Sequence, residues 1–181
     1  DSVAPLTPAA PVVVQNLNET VSVSGNAGAA EAGSTLHITF PDGSQTTTVV
    51  ASDGSYGPVL SATTQISGTV TIQAFDAAGN QSPPASTVFT YTDITPPTTP
   101  ATPVVVANPD GTVGISGGAG AGEPGSTITI TFPDGTTGSG TVNGDGSYGP
   151  LISSTPQTTG TVSVVVTDAA GNSSPPATTP Y

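Results

Sequence analysis

The chain has 181 residues and contains twelve Asp or Glu but no Lys or Arg, which gives a formal net charge of −12 at pH 7. No carboxylate can therefore pair with a Lys or Arg side chain of the same chain, and binding to nucleic acid or to an anionic membrane surface is excluded on electrostatic grounds. Cysteine is absent, which excludes disulfide bonds and thiol chemistry within this sequence.

One sequence pattern occurs twice, at a constant offset of 92 residues. For example, Phe40-Pro41-Asp42-Gly43 returns as Phe132-Pro133-Asp134-Gly135, and no insertion interrupts the register. Repetition at a fixed period is typical of domain arrays. The pattern predicts two small domains, residues 1–92 and 93–181, and we expect the segment to come from a longer array.

The first unit begins with a Pro-rich lead, Ala4–Pro11, which predicts an extended linker that runs into a strand at Val12–Val14. Residues 20–24 then alternate apolar and polar side chains, as a half-buried strand does, with Val21 and Val23 facing inward.

Later strands are predicted at Ser34–Phe40, Thr46–Ala51 and Thr87–Thr92, and the last strand of the second unit is expected to be truncated at Tyr181. The side chains that these and the intervening strands direct into the cores are predicted to be Leu36, Ile38, Phe40, Tyr56, Val70, Ile72, Ala74, Tyr148, Val162, Val164 and Val166. Seven short strands per unit, separated by turns and without helical periodicity, predict an all-β protein of two tandem immunoglobulin-like Greek-key β-sandwiches.

The predicted topology sorts the acidic residues between the two ends of each sandwich. With the seven strands of a unit lettered A to G in chain order, the chain enters such a sandwich at the end that carries the B–C, D–E and F–G loops. The A–B, C–D and E–F loops lie at the opposite, exit end. The entrance end of the second unit is predicted to carry Asp93, Glu123, Asp145 and Asp168, and the exit end of the first is predicted to carry Asn18, Glu19 and Asp42. We therefore expect the linker to lie among several carboxylates.

Several motifs resemble the bacterial Ig-like repeats of giant secreted adhesins, of the RTX, type I-secreted and biofilm-associated kind. They are Glu-Pro-Gly-Ser-Thr at 123–127, Thr-Phe-Pro-Asp-Gly at 131–135, Asp-Gly-Ser-Tyr at 145–148, Thr-Asp-Ala-Ala-Gly-Asn at 167–172 and Asp-x-Thr-Pro-Pro at 93–97. The resemblance covers both units. It implies a rod of repeats at the bacterial cell surface that projects a distal binding module, with neighbouring repeats of the same polypeptide as partners.

The same resemblance implies calcium at the domain junctions. Its ligands would include Asp93, Glu123 and Asp168, with Asp1, Glu31 and Asp76 as the corresponding set of the first unit. Calcium takes six to eight oxygen ligands, so loop carbonyls and water must complete each shell. The alternative is that these acids are solvated linker and loop residues. Because Glu31-Ala32-Gly33 replaces Glu123-Pro124-Gly125, we expect a less rigid loop and a less well-formed site in the first unit.

The other candidate residues favour plainer interpretations. Asp-Gly pairs are typical of tight turns and are predicted to be turn residues at Asp42, Asp53, Asp134 and Asp145. His37 lies on the outward face of its predicted strand and is expected to be a surface residue, and neither a Cys nor a second His accompanies it to form a transition-metal site. Phe75 is predicted to be exposed on the outer face of its strand. The acids lie in turns rather than across a groove, and no Ser-His-Asp arrangement repeats, so we expect no enzyme activity.

The sequence thus favours non-enzymatic extender repeats of a bacterial surface adhesin, stiffened by calcium. One alternative is a ligand-binding module that recognises a glycan or a host protein, and another is an accessory module of a secreted enzyme. We expect a soluble monomer near neutral pH, with no nucleic-acid partner and no insertion into a membrane.

Overall fold

The computed structural model describes residues 2–181, and every regular element in that range is a β-strand. The chain divides into two compact units, Asp1–Thr92 and Asp93–Tyr181. The described residues form no helix that is long and apolar enough to cross a membrane.

The first unit is a sandwich of two antiparallel sheets. Its strands are β1 (Val12–Gln15), β2 (Val21–Gly25), β3 (Thr35–Thr39), β4 (Gln45–Val49), β5 (Tyr56–Leu60), β6 (Gly68–Phe75) and β7 (Ala85–Phe89). One sheet has the order β1-β2-β5 and the other has the order β4-β3-β6-β7. This arrangement is the seven-stranded immunoglobulin-like topology that the sequence predicts.

The second unit repeats the same plan. Its strands are β8 (Val104–Ala107), β9 (Val113–Gly117), β10 (Thr127–Thr131), β11 (Thr137–Thr141), β12 (Tyr148–Ile152), β13 (Thr161–Thr167) and β14 (Ala177–Pro180). They form a three-stranded sheet, β12-β9-β8, and a four-stranded sheet, β11-β10-β13-β14. The prediction of two tandem β-sandwiches is confirmed.

The cores lie between the two sheets of each unit and contain the side chains that the alternation of apolar residues predicts. Val21 and Val23 of β2 are fully buried, and they face the equally buried Leu36 and Ile38 of β3 across the sandwich. The second core repeats this arrangement with Val113 and Ile115 opposite Ile128 and Ile130. Because side chains of a strand point alternately to its two faces, this period of two makes the core predictable.

Each core also contains one tyrosine, as the sequence predicts. The rings of Tyr56 and Tyr148 lie so close to Gly25 and Gly117 that a Cβ atom at either glycine would overlap the ring. The hydroxyl groups of both tyrosines are buried and have no hydrogen-bond partner among the described residues. Burial without a partner is unfavourable for a hydroxyl group.

The predicted limits of two strands are wrong by two residues or more. The last strand of the first unit ends at Phe89 rather than at Thr92, because Phe89 pairs with Gly68, where the neighbouring strand β6 begins. Strand β4 ends at Val49 rather than at Ala51, whose N–H donates to the carbonyl of Ser55 in a turn. In both places the pairing partner, rather than the side-chain pattern, sets the end of the strand.

Beyond Phe89 the first unit is closed by a reciprocal contact that the pattern does not reveal. The side-chain amide of Gln15 donates to the carbonyl of Thr92 (2.6 Å), and the N–H of Thr92 donates to Oε1 of Gln15 (3.0 Å). This contact holds the last residue of the unit to strand β1. In the second unit, strand β14 ends at Pro180 and Tyr181 exchanges two backbone hydrogen bonds with Gly160.

Backbone hydrogen bonds confirm how the loops sort between the two ends of the sandwich. At the entrance end of the first unit, Ala9 of the lead donates to Ala29 of the β2–β3 loop, and Gly28 of that loop donates to Asp53 of the β4–β5 turn. At the exit end, Gln65 of the β5–β6 loop donates to Glu19 of the β1–β2 turn. The chain therefore enters each sandwich at one end and leaves it at the other.

The β1–β2 turn contains a backbone conformation that L-residues rarely adopt. Glu19 has φ of 62°, the single positive value among the described residues other than glycine, whereas Gly111 occupies the equivalent place in the second unit with φ of 84°. The left-handed region is unfavourable for a residue with a Cβ atom. The first unit thus tolerates strain that the second avoids.

Candidate functional site

Two of the predicted calcium ligands, Asp76 and Asp168, come directly after strands β6 and β13. Oδ1 of Asp168 accepts the N–H of Asn172 (2.8 Å), and Oδ2 accepts the side-chain amide of the same residue (2.9 Å). Asp76 makes the same two hydrogen bonds to Asn80, at 2.8 and 2.7 Å. These bonds, that to the side-chain amide above all, hold the pKa of both carboxyl groups below its ordinary value. Both side chains are therefore ionised and fixed in orientation near neutral pH.

In the second unit the linker residue Asp93 lies beside Asp168. The side-chain amide of Asn172 donates to Oδ2 of Asp168 and also to the main-chain carbonyl of Asp93 (3.2 Å). The carboxylate of Asp93 accepts the N–H of Thr95 (3.0 Å). Asn172 therefore connects the start of the unit to the β13–β14 loop. This contact is not among those predicted from the sequence, although the repeat carries the same residue as Asn80.

The other predicted ligands, Glu31 and Glu123, lie on the β2–β3 and β9–β10 loops. Thr127 pairs with Thr167, and this register places the loop that precedes β10 beside Asp168, which follows β13. In the first unit the equivalent loops line an open pocket of about 340 Å³, formed by residues 31–34 and 76–78. Each glutamate loop is therefore adjacent to its aspartate loop.

The structure brings these loops together without gathering three acidic side chains. Among residues 2–181, no group of three or more Asp, Glu, His and Cys side chains is placed to hold a metal ion. Asp1 lies outside the described residues, so the first predicted set can be located only at Glu31 and Asp76. The donor atoms available at both sites are oxygens, which suit calcium better than a transition metal. The ligand sets remain a prediction.

The two loops that carry the glutamates share one backbone conformation. Gly33 and Gly125 both have positive φ, at 80° and 83°, and their N–H groups donate to Val50 and Val142, each at 3.0 Å. The replacement of Pro124 by Ala32 therefore leaves this turn in place. Lower rigidity of the first loop stays a prediction.

Asp42 and Asp134, at the exit ends, are turn residues, as predicted, and each also accepts hydrogen bonds from a neighbouring loop. Oδ1 of Asp42 accepts the N–H and the hydroxyl of Ser44, at 2.9 and 2.6 Å. Oδ2 accepts the hydroxyl of Thr63 (2.9 Å) and the amide of the buried Gln65 (3.0 Å). Asp134 repeats these contacts. Gln65 is not among the residues predicted from the sequence to have a role, although its recurrence as Gln157 is a signal that the sequence contains.

Asp53 and Asp145 are turn residues, as predicted. Each accepts the N–H and the hydroxyl of the serine two residues later through Oδ1, with the N–H at 2.9 Å. The serine hydroxyl is the main cause of the lowered pKa of each carboxyl group.

His37 lies on the surface, as predicted, and its ring packs against that of Phe75 in a tilted arrangement. The two ring centroids are 4.3 Å apart and the ring planes are inclined by 42°. Phe75 is half-buried rather than exposed, so this part of the prediction is wrong. The correction follows from the register of β3 and β6, which pairs Thr35 with Phe75 and places the histidine ring beside the phenyl ring.

Comparison with known proteins identifies the family. The model of the bacterial Ig domain matches the chain twice, over residues 7–93 and 97–181. No curated protein sequence matches it. Among solved structures, a segment of two fibronectin type III domains from chicken tenascin shares the fold, with a TM-score of 0.50, 15% identity, and coverage of 96% of this chain and 98% of that one.

Two further solved structures are also similar. One is from a 1.5-MDa ice-binding adhesin studied for host cell surface retention (25% identity, TM-score 0.41, 99% of this chain covered), and the other is the BSP domain of a biofilm-associated protein (22%, 0.34, 92% covered). The chain spans 65% and 28% of their respective lengths. Since the family model matches almost the whole chain in two consecutive copies, this protein belongs to the bacterial Ig domain family as a tandem of two such domains.

Proposed function

We propose that this tandem is a pair of non-enzymatic extender repeats of a large bacterial cell-surface adhesin, which projects a distal binding module for adhesion or biofilm formation. The observation that carries the proposal is the path of the chain. Each sandwich is entered at one end and left at the other, and the next unit follows without insertion. Repeats of this kind add length with every copy, which is what a spacer requires.

The titration of the aspartates supports a structural role. Every resolved pKa shift of an Asp in the described residues is downward and is caused chiefly by hydrogen bonds to neighbouring side chains. Hydrolysis by paired carboxylates needs one carboxyl group with a raised pKa, so that it is protonated and can act as an acid. The resolved pKa shifts of these aspartates go in the opposite direction.

Extension can be tested in the intact adhesin by exchanging the tandem for an unrelated pair of Ig-like domains of equal length. We expect adhesion to persist after the exchange and to fall when the tandem is deleted. The alternative, a ligand-binding module, predicts that the exchange abolishes adhesion as completely as the deletion does.

We further propose that calcium binds at the entrance ends, where Asp93, Glu123 and Asp168 would hold it in the second unit. Asp1, Glu31 and Asp76 would form the set of the first unit. Two features support a fit, namely the oxygen-only donor set and the carboxylate-bearing loops that lie side by side around the pocket of the first unit. Bound calcium would neutralise acids that no Lys or Arg offsets, and it would restrain the linker against the loops. Calcium would thereby stiffen the junction between the units.

Calcium binding can be tested by melting the tandem in chelator and in ~10 mM calcium. Free calcium at ten times the dissociation constant adds about 1.4 kcal/mol per site, so the melting temperature should rise. Asp93→Ala should keep both sandwiches folded but reduce the rise, whereas Asp110→Ala, at the opposite end of the second unit, should leave it unchanged.

Stiffening requires a separate measurement, which is small-angle scattering of the wild type and the Asp93→Ala variant. We expect calcium to narrow the distance distribution of the wild type only. If melting and scattering are the same in chelator and in calcium, the calcium proposal is wrong while the spacer proposal stands.

A further inference from the structure

The outer face of the three-stranded sheet in the second unit contains a pocket that has no role in the extender function. Its volume is about 260 Å³, and its lining consists of Val106, Asn108, Gly114, Ser116, Pro150 and Ile152. Val106 and Ile152 stand at its sides and are 53% and 60% exposed. Gly114 lies between them on the central strand, since it pairs with Val106 on one side and with Ile152 on the other. The missing side chain at position 114 is what leaves the pocket open.

The first unit shows what fills this place when a side chain is present. Ser22 is the equivalent of Gly114, and its hydroxyl donates to Oδ1 of Asn16 (2.9 Å). The amide of Asn16 is held in orientation because its Nδ2 donates to the hydroxyl of Thr20 (2.9 Å). In the first unit, therefore, the serine hydroxyl satisfies the amide oxygen and occupies the space.

In the second unit the same asparagine oxygen faces an open pocket. Nδ2 of Asn108 donates to the hydroxyl of Thr112 at 2.9 Å, so the amide has the orientation of its counterpart in the first unit. Its Oδ1 consequently points toward the position of the absent serine hydroxyl. No donor within residues 2–181 forms a hydrogen bond to this oxygen, so the pocket combines apolar walls with an available acceptor.

The charge of the chain indicates which donor would occupy it. A formal net charge of −12 without any Lys or Arg attracts cations and repels a second copy of the chain. A lysine side chain combines an aliphatic stem with a compact ammonium group, whereas an arginine fork carries five donors and needs several acceptors. The pocket offers few acceptors beside its aliphatic side chains, namely the amide oxygen of Asn108 and the hydroxyl of Ser116, which suits lysine.

We propose that this pocket binds a lysine side chain of a partner protein, with the methylene groups against Val106, Pro150 and Ile152 and the ammonium group donating to Oδ1 of Asn108. The second unit would then add a weak contact of its own to the spacer role. The first unit would lack this contact, because Ser22 fills the equivalent place.

The proposal can be tested by NMR titration of the ¹⁵N-labelled tandem with Nα-acetyl-lysine N-methylamide. We expect saturable shifts confined to the backbone amide of Gly114, the side-chain amide of Asn108 and their neighbours, with an affinity that falls as salt is added. The norleucine analogue carries the same stem without the charge and should bind at least about tenfold more weakly, because a charge-assisted hydrogen bond is lost. Equal binding of the two compounds would overturn the proposal.

The two units supply matched variants. Gly114→Ser introduces the residue of the first unit, and its Cβ would meet Pro150 Cβ at 3.8 Å and the carbonyl of Val106 at 3.9 Å, which are ordinary contacts. The variant should therefore fold and lose binding about tenfold or more. Ser22→Gly should create a second site in the first unit. Unchanged affinity in Gly114→Ser, or no new site in Ser22→Gly, would place the binding elsewhere and contradict the proposal.

Discussion

Replacing the core tyrosines with phenylalanine should stabilise both units. Tyr148 is 1% exposed, Tyr56 is 5% exposed, and neither hydroxyl has a hydrogen-bond partner within residues 2–181. An unsatisfied buried polar group costs about 1–3 kcal/mol, whereas the small space left by one oxygen atom costs less than about 1 kcal/mol. We expect each Tyr→Phe change to raise the free energy of unfolding by about 1 kcal/mol, which is roughly 4–8 °C in the melting temperature of a domain of this size.

Differential scanning calorimetry of Tyr56→Phe, Tyr148→Phe and the double variant measures this effect. Tyr181→Phe is the control, because its ring is partly exposed and its change should stay within about 0.5 kcal/mol. A lower melting temperature in Tyr56→Phe or Tyr148→Phe would refute the reasoning, since it would show that an ordered water or another group satisfies the hydroxyl.

Alkaline pH provides an independent measurement of the same burial. Burial raises the pKa of Tyr56 to about 12 from the ordinary value of 10.0, and it raises the pKa of Tyr148 as well. The unfolded chain therefore loses these protons first, so stability that is present below pH 10 should be lost as the pH rises toward 12. In the double Tyr→Phe variant this alkaline loss should be reduced.

Three further changes test local features of the two units. Glu19→Gly should stabilise the first unit by about 0.5–1 kcal/mol in urea unfolding because it removes left-handed strain, and Gly111→Ala should destabilise the second unit. Unfolding midpoints equal to that of the wild type would mean that the turn carries no strain. Gly117→Ala should destabilise the second unit by about 3 kcal/mol or more in calorimetry, since its Cβ would overlap the ring of Tyr148. Hydrogen bonds from Thr136 and then Gln157 lower the pKa of the Asp134 carboxyl group, so the stability that this group contributes is present above pH 3.8 and is lost as the pH falls below that value. Asp134→Asn should therefore reduce the decrease in the free energy of unfolding that urea unfolding measures as the pH is lowered.

The sequence predicts most of the fold because the relevant signals are local and occur twice. The alternation around Val21 and Val23 depends only on the two-residue period of a strand, and the Asp-Gly pairs depend only on turn geometry. The end of β7 could not be predicted in the same way, because it depends on where the partner strand begins. The contact between Gln15 and Thr92 was hidden for the same reason, since 77 residues separate them.

The candidate site was only partly predictable. The order of the loops in the fold placed Asp168 and Asp93 at one end, and Asn172 connects them there. Side-chain orientation does not follow from loop order, and the structure gathers no three acidic side chains among the described residues. The pocket at Gly114 could not be predicted from the sequence, because it arises where a side chain is absent. Its significance becomes clear only when Gly114 is compared with Ser22, the equivalent residue of the first unit.

The reciprocal contact between Gln15 and Thr92 has a mechanical consequence. A pull on the first unit along its long axis reaches the terminal strands β1 and β7 from opposite ends. The ladder hydrogen bonds of these strands run perpendicular to the pull, so they are sheared together instead of being opened one after another. A force applied at the exit end acts first on Thr92, the last residue of the unit. Because Thr92 is hydrogen-bonded to Gln15, part of this force is transferred to β1 and does not act on the β6–β7 hydrogen bonds. The equivalent of Gln15 in the second unit is Ala107, which cannot form this contact, so the two units should differ in the force at which their last strand detaches.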